Sequence, residues 1–323
     1  TAPERSTLVL TAHHLVIDGW SMGVVLNDLA DYYGAATRME RFGEASADTL
    51  TTFLEDEREF LASEEYRETE AFWVDQFANS LPEPLRLPLD RPRPPTKTYA
   101  GTRQGIRFDP TLVQRLDRFC SQHKVTTFTT LYAAFSAFMA RLTGQEDVVV
   151  GVPMAGQAVA GRPNLVGHAV NFLPLRTRVE VGRGFEALLS ATRDYILDLN
   201  DHQRFTYASL LKKLPVKRSV GHDPLVSVTF NVDQGMESFD FAGVQARYVT
   251  GPRDYVKYDL FVNVVLESDG PILEVDHNSD LLDAVTVRGW IEEYFELLES
   301  VMDHPSRPLD SLLGSRSLAV SGD

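Results

Sequence analysis

Thr7-Leu-Val-Leu-Thr-Ala12 is apolar and β-branched with alternating faces, which predicts a short strand running into His13 and His14. With a period of two, those imidazoles point to opposite sides. Asp18-Gly19 is a turn pair. Beyond it Met22, Val25, Leu26, Leu29 and Tyr33 recur at helical spacing, predicting a helix capped by Ser21. A polar loop and a second, acidic helix complete residues 1–85, and residues 86–100 form a proline-bearing connection. Further on, helices predicted near 110–124, 128–142, 183–199 and 284–303 alternate with strands near 104–108, 147–152, 170–179, 225–233, 259–267 and 272–277. Helices segregated from a mixed sheet point to the α/β class. The sequence shows no repeat of fixed period.

Composition narrows the setting. The 323 residues, 43% hydrophobic and 24% charged, suffice for a large core or two lobes. No run of about eighteen apolar residues and no signal-like start is present, so the reading is a cytoplasmic protein without a membrane partner. A formal charge of −15, from 31 basic and 46 acidic side chains, argues against nucleic acid as a partner. The single cysteine, Cys120, excludes an internal disulfide. Its neighbours Leu116, Phe119 and Val125 predict a half-buried thiol on a helix, with no catalytic role. The run Glu55, Asp56, Glu57, Glu59, Glu64 and Glu65 reads as a solvated helix face.

The chemistry lies in His13-His-Leu-Val-Ile-Asp-Gly-Trp-Ser21, at the predicted strand-loop-helix junction. Histidine titrates near neutrality, so His14 is the candidate proton acceptor, whereas His13 is read as a hydrogen-bonded structural residue. Asp18 is too short to reach far; its carboxylate pairs with a cation or backbone donors and holds the loop. Gly19 lets the backbone approach a ligand, with its N–H a candidate oxyanion donor. This set suits transfer of an acyl group to an amine or hydroxyl.

Two other readings use the same residues. Gly19-Trp20-Ser21-Met22-Gly23 fits the G-x-S-x-G nucleophile elbow, which would make Ser21 the nucleophile of a serine hydrolase, with His277 or His304 as base. That leaves the histidine pair without a role, while the acyl-transfer reading uses the whole nonapeptide. A metal held by His14 and Asp18 lacks a third ligand at useful spacing, so no metal is expected.

The nonapeptide resembles the H-H-x-x-x-D-G motif of the condensation domains of nonribosomal peptide synthetases, within the chloramphenicol-acetyltransferase-like superfamily. The resemblance continues through Phe72-Trp73, Leu87-Pro-Leu-Asp-Arg-Pro-Arg-Pro94, Thr126-Thr-Phe-Thr-Thr-Leu131 and Arg141-Leu-Thr-Gly-Gln-Glu-Asp-Val-Val-Val-Gly-Val-Pro153. Val166-Gly-His-Ala-Val-Asn-Phe-Leu-Pro-Leu-Arg176 is similar to the family's later V-G-x-x-V-N motif, and Tyr258-Asp-Leu260 and His277-Asn-Ser-Asp-Leu281 to its last segments. Departures fall elsewhere. Gly221-His222 and Asp223-Pro224-Leu225 stand where Ser-Arg and Asn-Pro-Leu are usual. Arg204, Thr206 and Ala208 follow His202-Gln203 in place of acid, proline and acid, and Gln157 stands where arginine is common.

The resemblance implies a two-lobed α/β sandwich with the active site in a channel between lobes. Residues 1–85 would be the C-terminal part of a first lobe, 86–100 the linker and 101–323 the second lobe. The chain opens at Thr1, and the family pattern places further first-lobe sequence ahead of it. The first lobe is therefore expected to be incomplete here, with exposed strand edges that pair with the missing portion. The implied reaction joins a carrier-bound acyl or peptidyl thioester to the amine of a carrier-bound aminoacyl acceptor. Its phosphopantetheine arms belong to donor and acceptor carrier proteins in adjacent synthetase modules, and the chain has no intrinsic cofactor. His14 and Gly19 are the candidate catalytic residues, His13, Asp18 and Ser21 their structural support, and Trp20 and Asn171 candidate channel-lining residues. An epimerisation domain would carry an extra glutamate-glycine-histidine segment, which is absent. A coenzyme A acyltransferase explains less of the chain, and a non-catalytic docking domain leaves the intact histidine motif unexplained. Arg91/Arg93 and Lys212/Lys213/Lys217/Arg218 are either solvated or a face for acidic carriers.

Overall fold

The computed structural model describes residues 5–41, 43, 48–216, 221, 223–236, 239–249, 251 and 253–312. Thr1, Lys217, Arg218 and His222 lie outside these residues. In chain order the elements are α1 (Gly19–Thr37), α2 (Leu50–Ala62), α3 (Glu64–Ala78), β1 (Gly101–Arg107), α4 (Pro110–His123), α5 (Thr127–Thr143), β2 (Asp147–Ala155), α6 (Gly156–Val159), β3 (Val170–Arg178), α7 (Phe185–Asn200), α8 (Tyr207–Lys213), β4 (Val228–Gln234), β5 (Leu260–Leu266), β6 (Ile272–Asn278), α9 (Ala284–Asp303) and α10 (Leu309–Leu312). They form two compact units. One comprises Thr1–Tyr66, Met154–Asn171 and Met236–Tyr248; the other comprises Arg67–Pro153, Phe172–Gly235 and Val249–Asp323.

The larger unit is organised by a six-stranded sheet of order β1-β6-β5-β4-β2-β3. β1 and β5 both run antiparallel to β6, whereas β4 is parallel to β5 and to β2. Register is fixed partly by charge: Arg103 lies directly opposite Asp276 and donates from Nε and Nη2 to its carboxylate at 2.5 and 2.9 Å, with Glu274 as a further acceptor. Cross-strand opposite charges of this kind favour one pairing over its slipped alternatives. Gly151 is required by a close approach, because a Cβ there would sit 1.9 Å from the Phe172 ring.

α5 carries Leu131, Tyr132, Phe135, Phe138 and Met139 and is apolar around nearly its whole circumference, so it is buried rather than laid on the surface. It packs with α9, and Phe135, Phe138, Trp290 and Tyr294 meet Leu260, Val262, Leu273 and Val275 of the sheet. The phenol of Tyr294 donates to Leu131 O at 2.9 Å, which satisfies the polar end of a buried ring. Cys120 lies on α4, buried against Thr130, and burial pushes its pKa up, as suits a packing residue.

The proline-bearing segment is held down by specific bonds within this unit. Asp90 N–H donates to Leu281 O at 3.0 Å, and Arg93 grips Asp259 with two bonds of 2.9 and 2.6 Å. Arg91 pairs with Asp283 and Lys213 with Glu70, so three cations read as a candidate carrier-binding face each have an acidic partner within the chain, the Arg93 pair being the largely buried one.

Three local expectations differ from what is observed. Residues 7–12 are not a strand: Leu8, Val9 and Leu10 are exposed, and no described residue pairs with them in a ladder, without which an extended segment is not a strand. The acidic helix is two helices, because Ser63 is extended (φ −84°, ψ 165°) and its hydroxyl accepts from Tyr66 N–H at 3.1 Å, capping α3. The acidic face is not wholly solvated, since Asp56 accepts from Arg162 Nε at 2.8 Å.

His202 clamps α3. Its ring stacks on Phe72 with centroids 4.1 Å apart, its Nδ1 lies 3.1 Å from Thr69 Oγ1, and its carbonyl accepts from Trp73 Nε1 at 2.8 Å. Trp73→Phe keeps most of the packing but leaves that carbonyl without its donor, so urea unfolding should show a loss of about 1–3 kcal/mol.

Candidate active site

α1 begins earlier than the spacing of its apolar residues suggests, because Asp18 rather than Ser21 is its N-cap. Asp18 is extended (φ −114°, ψ −176°), and its Oδ1 accepts from Ser21 N–H at 2.9 Å. Ser21 therefore sits inside the first turn, where its side chain is fully buried and takes a different part. Its Oγ accepts from Gly167 N–H at 3.0 Å and lies within donating distance of Asp18 Oδ1 (2.7 Å) and Gly167 O (2.8 Å).

The Asp18 carboxylate, 5% exposed, is the hub of this site. Besides Ser21, it accepts from Ala169 N–H at 3.0 Å and Val170 N–H at 3.2 Å, and Gln157 Nε2 donates to both of its oxygens at 3.0 and 2.8 Å. The alternatives for Asp18 were a cation or backbone donors. Its partners are backbone N–H groups, a hydroxyl and a neutral amide, and all belong to the smaller unit. Burial pushes its pKa up, but the bonds from Ser21, Gln157 and Ala169 outweigh it and hold the carboxyl below its ordinary value. Gln157 Oε1 is buried without a partner among the described residues, which identifies the amide nitrogen as the end that serves the carboxylate.

Around this hub His13, His14, Gly19 and Trp20 are exposed. His14 is exposed, and its Nδ1 lies 3.3 Å from Nδ1 of His168, with the rings edge to face at 81°. His13 accepts from Leu15 N–H at Nδ1 (3.1 Å), so its proton is on Nε2 in the neutral form. Its carbonyl accepts from Val16 N–H at 3.0 Å, making it a turn residue. Trp20, 41% exposed, is anchored by Nε1 donating to Pro163 O at 2.8 Å. Gly19 is the first residue of α1, where an N–H has no intrahelical acceptor, and a Cβ on it would meet nothing within 4 Å. Packing does not demand glycine there. Asn171 is half-buried on β3, next to Val170.

His168 is the residue that motif reasoning missed. It occupies a variable place of V-G-x-x-V-N and comes to His14 only because Gly167 and Ala169, on either side of it, are bonded to Ser21 and Asp18. The hydrolase reading fails on geometry. Ser21 Oγ is sealed among Asp18, Gly167 and Gln157, with no imidazole among its partners. His277, offered as its base, is buried on β6 with both nitrogens lacking partners among the described residues. Among the described residues no three His, Cys, Asp or Glu side chains gather as a metal site, and no helix is long and apolar enough to cross a membrane.

The larger unit is thus a mixed sheet covered by buried helices, and the smaller unit holds a histidine motif tied down by a buried aspartate. The family model for the condensation domain matches residues 1–317, and the chain belongs to that family. It is 32% identical over 316 residues to one of the linear gramicidin synthase proteins of Brevibacillus parabrevis, covering 93% of this chain and 6% of that protein. Surfactin synthase subunit 1 of Bacillus subtilis is 29% identical over 95% of this chain and 8% of its own length. The chain thus spans under a tenth of these relatives. Among solved structures, the first condensation domain of the CDA synthetase superposes with a TM-score of 0.76 at 25% identity, covering 92% of this chain and 65% of that one. The X-domain from teicoplanin biosynthesis shares the fold, with a TM-score of 0.79 at 20% identity over 92% of this chain and 69% of its own.

The depressed Asp18 pKa carries a sign. A carboxyl whose folded pKa lies below the unfolded value of about 3.9 adds stability that is complete above that pH and is lost as pH falls through the folded pKa. Asp18→Asn turns an amide nitrogen towards donors and should cost about 2–4 kcal/mol at pH 7. In denaturant titrations its deficit against wild type should shrink as pH drops below about 4.

Proposed function

We propose that this chain forms amide bonds, joining an acyl or peptidyl thioester on one carrier protein to the amine of an aminoacyl thioester on another. The observation that carries the reading is the division of labour in the histidine motif. Asp18 and Ser21 are buried and hydrogen-bonded, while His14 and the N–H end of α1 at Gly19 are exposed and close together in sequence. Fold alone cannot support an activity, because one fold hosts many functions.

In this reaction the acceptor nitrogen attacks the thioester carbonyl carbon, a C–N bond forms, and the C–S bond breaks as the thiolate leaves. The nitrogen must lose one proton and the sulfur gain one. A free α-amine has a pKa of about 7.7–8.0, so a good part is already neutral at pH 7 and base strength is not the scarce resource. His14 orients the amine, takes the proton that the nitrogen sheds and returns it to the departing sulfur. Gly19 N–H, at the positive end of α1, donates to the oxyanion of the tetrahedral intermediate. Asp18 acts on neither reactant; it holds the loop between them. His13 and Ser21 support that loop, and Trp20 and Asn171 line the reactants' approach. The phosphopantetheine arms and the carriers belong to the neighbouring modules of a synthetase. A cytoplasmic setting fits these partners.

The test presents the protein carrying this chain with donor and acceptor thioesters on their carriers and reads the joined product by intact-protein mass. His14→Ala should slow joining by about 10²–10⁴-fold. Unchanged joining in that variant refutes the proposal. Gly19→Ala meets no clash, so it should leave the melting temperature unchanged while lowering kcat, because an added Cβ keeps the backbone N–H from approaching the reactant closely.

A further inference from the structure

The contact between His14 and His168 restricts where protons can be. Nδ1 faces Nδ1 at 3.3 Å, with ring centroids 5.1 Å apart and planes at 81°. Two lone pairs at that separation repel, and so do two N–H groups. In the neutral pair one proton therefore lies between the facing nitrogens, donated by one ring and accepted by the other. If His168 were the donor, His14 would carry its own proton on Nε2 and have no free lone pair to offer a substrate. If His14 is the donor, its Nε2 is free to accept.

Nothing in this contact is left to a flexible side chain alone. Both backbone polar groups of Gly167 meet Ser21 Oγ, and the N–H groups of Ala169 and Val170 are held by Asp18. The backbone on both sides of His168 is thus bonded to Ser21 and Asp18, the hub that caps α1 four residues after His14, and all these residues lie in one compact unit.

We propose that His168 is a positioning residue for condensation, which accepts the Nδ1 proton of His14 and so keeps His14 in the tautomer whose Nε2 faces the reactants as a free base. This role rests on the function proposed above. When His14 Nε2 takes the proton shed by the attacking nitrogen, its Nδ1–H remains bonded to the neutral His168 ring, and the bond becomes charge-assisted. The imidazolium is stabilised at the step where it forms.

Selective ¹⁵N labelling of histidine in the whole protein reads the tautomer directly, with the His14 signals identified by their loss in His14→Gln. The expected wild-type result is a protonated Nδ1 and an unprotonated Nε2 on His14; the reverse tautomer overturns the proposal without any variant. In the carrier assay His168→Phe, which keeps a ring but no acceptor, should lower kcat on the order of 10-fold with KM little changed, the scale of one lost charge-assisted hydrogen bond. His168→Asn places an amide oxygen near the former Nδ1 and should recover most of that loss. Wild-type kcat in His168→Phe, beside a crippled His14→Ala, refutes the role of His168 and leaves the function standing. Full joining by His14→Ala instead refutes the function, while the tautomer measurement still decides whether the pair exists.

Discussion

One buried carboxylate holds the site together. Asp18 gathers the start of α1 through Ser21 N–H, a distant amide through Gln157, and the approach to β3 through the N–H groups of Ala169 and Val170. Segments about 140 and 150 residues away in sequence meet at two oxygen atoms. An ionised carboxylate in an apolar surrounding is expensive unless its acceptor capacity is filled, and here it is filled by donors that have few other places to go. The first-turn N–H groups of a helix and the N–H groups at the mouth of a strand both need acceptors. Asp18 answers several of those needs at once, which is why its pKa falls despite its burial.

The larger unit solves a different problem by ordinary means. Its sheet is covered by α5 and α9, whose buried rings fill the layer, and its charged groups are paired across strands or along the proline-bearing segment. Arg93 with Asp259 and Arg103 with Asp276 are largely buried pairs in two-pronged geometry, the arrangement in which a guanidinium recovers most of its lost hydration. Such pairs specify register and segment position more than they add net stability. Arg93, one of the basic residues that look available in the sequence, is taken up by such a pair.

What the sequence made legible follows from the range of the forces involved. Helices and strands beyond residue 100 were readable because local periodicity decides them; α9 runs over Ala284–Asp303, where its spacing predicts it. The histidine nonapeptide was readable because its residue types are unusual together. Features set by distant partners were not. Ser21 looks like a cap because serine is a good one, yet Asp18 outcompetes it, being extended and anchored from three other directions. Thr7–Ala12 has the residues of a strand, but strand formation depends on a neighbouring ladder rather than on its own composition. His168 carried no local signal, since its meaning comes from a residue 154 positions earlier.

The glutamine at position 157 changes how the hub must be built. The resemblance to the condensation family places an arginine there, which would bring a positive charge, a planar fork of donors and no acceptor. Gln157 brings a neutral NH₂ that spans both oxygens of Asp18, and an Oε1 that is left buried without a partner among the described residues. An amide cannot neutralise the carboxylate, so more of the stabilisation falls to the backbone donors at Ser21, Ala169 and Val170 and to the Ser21 hydroxyl. Those donors are on the segments that frame His14 and His168. A weaker side-chain partner therefore ties the charge of Asp18 more closely to the backbone that holds the two imidazoles, and a disturbance at the carboxylate is transmitted to them rather than absorbed by a counter-ion.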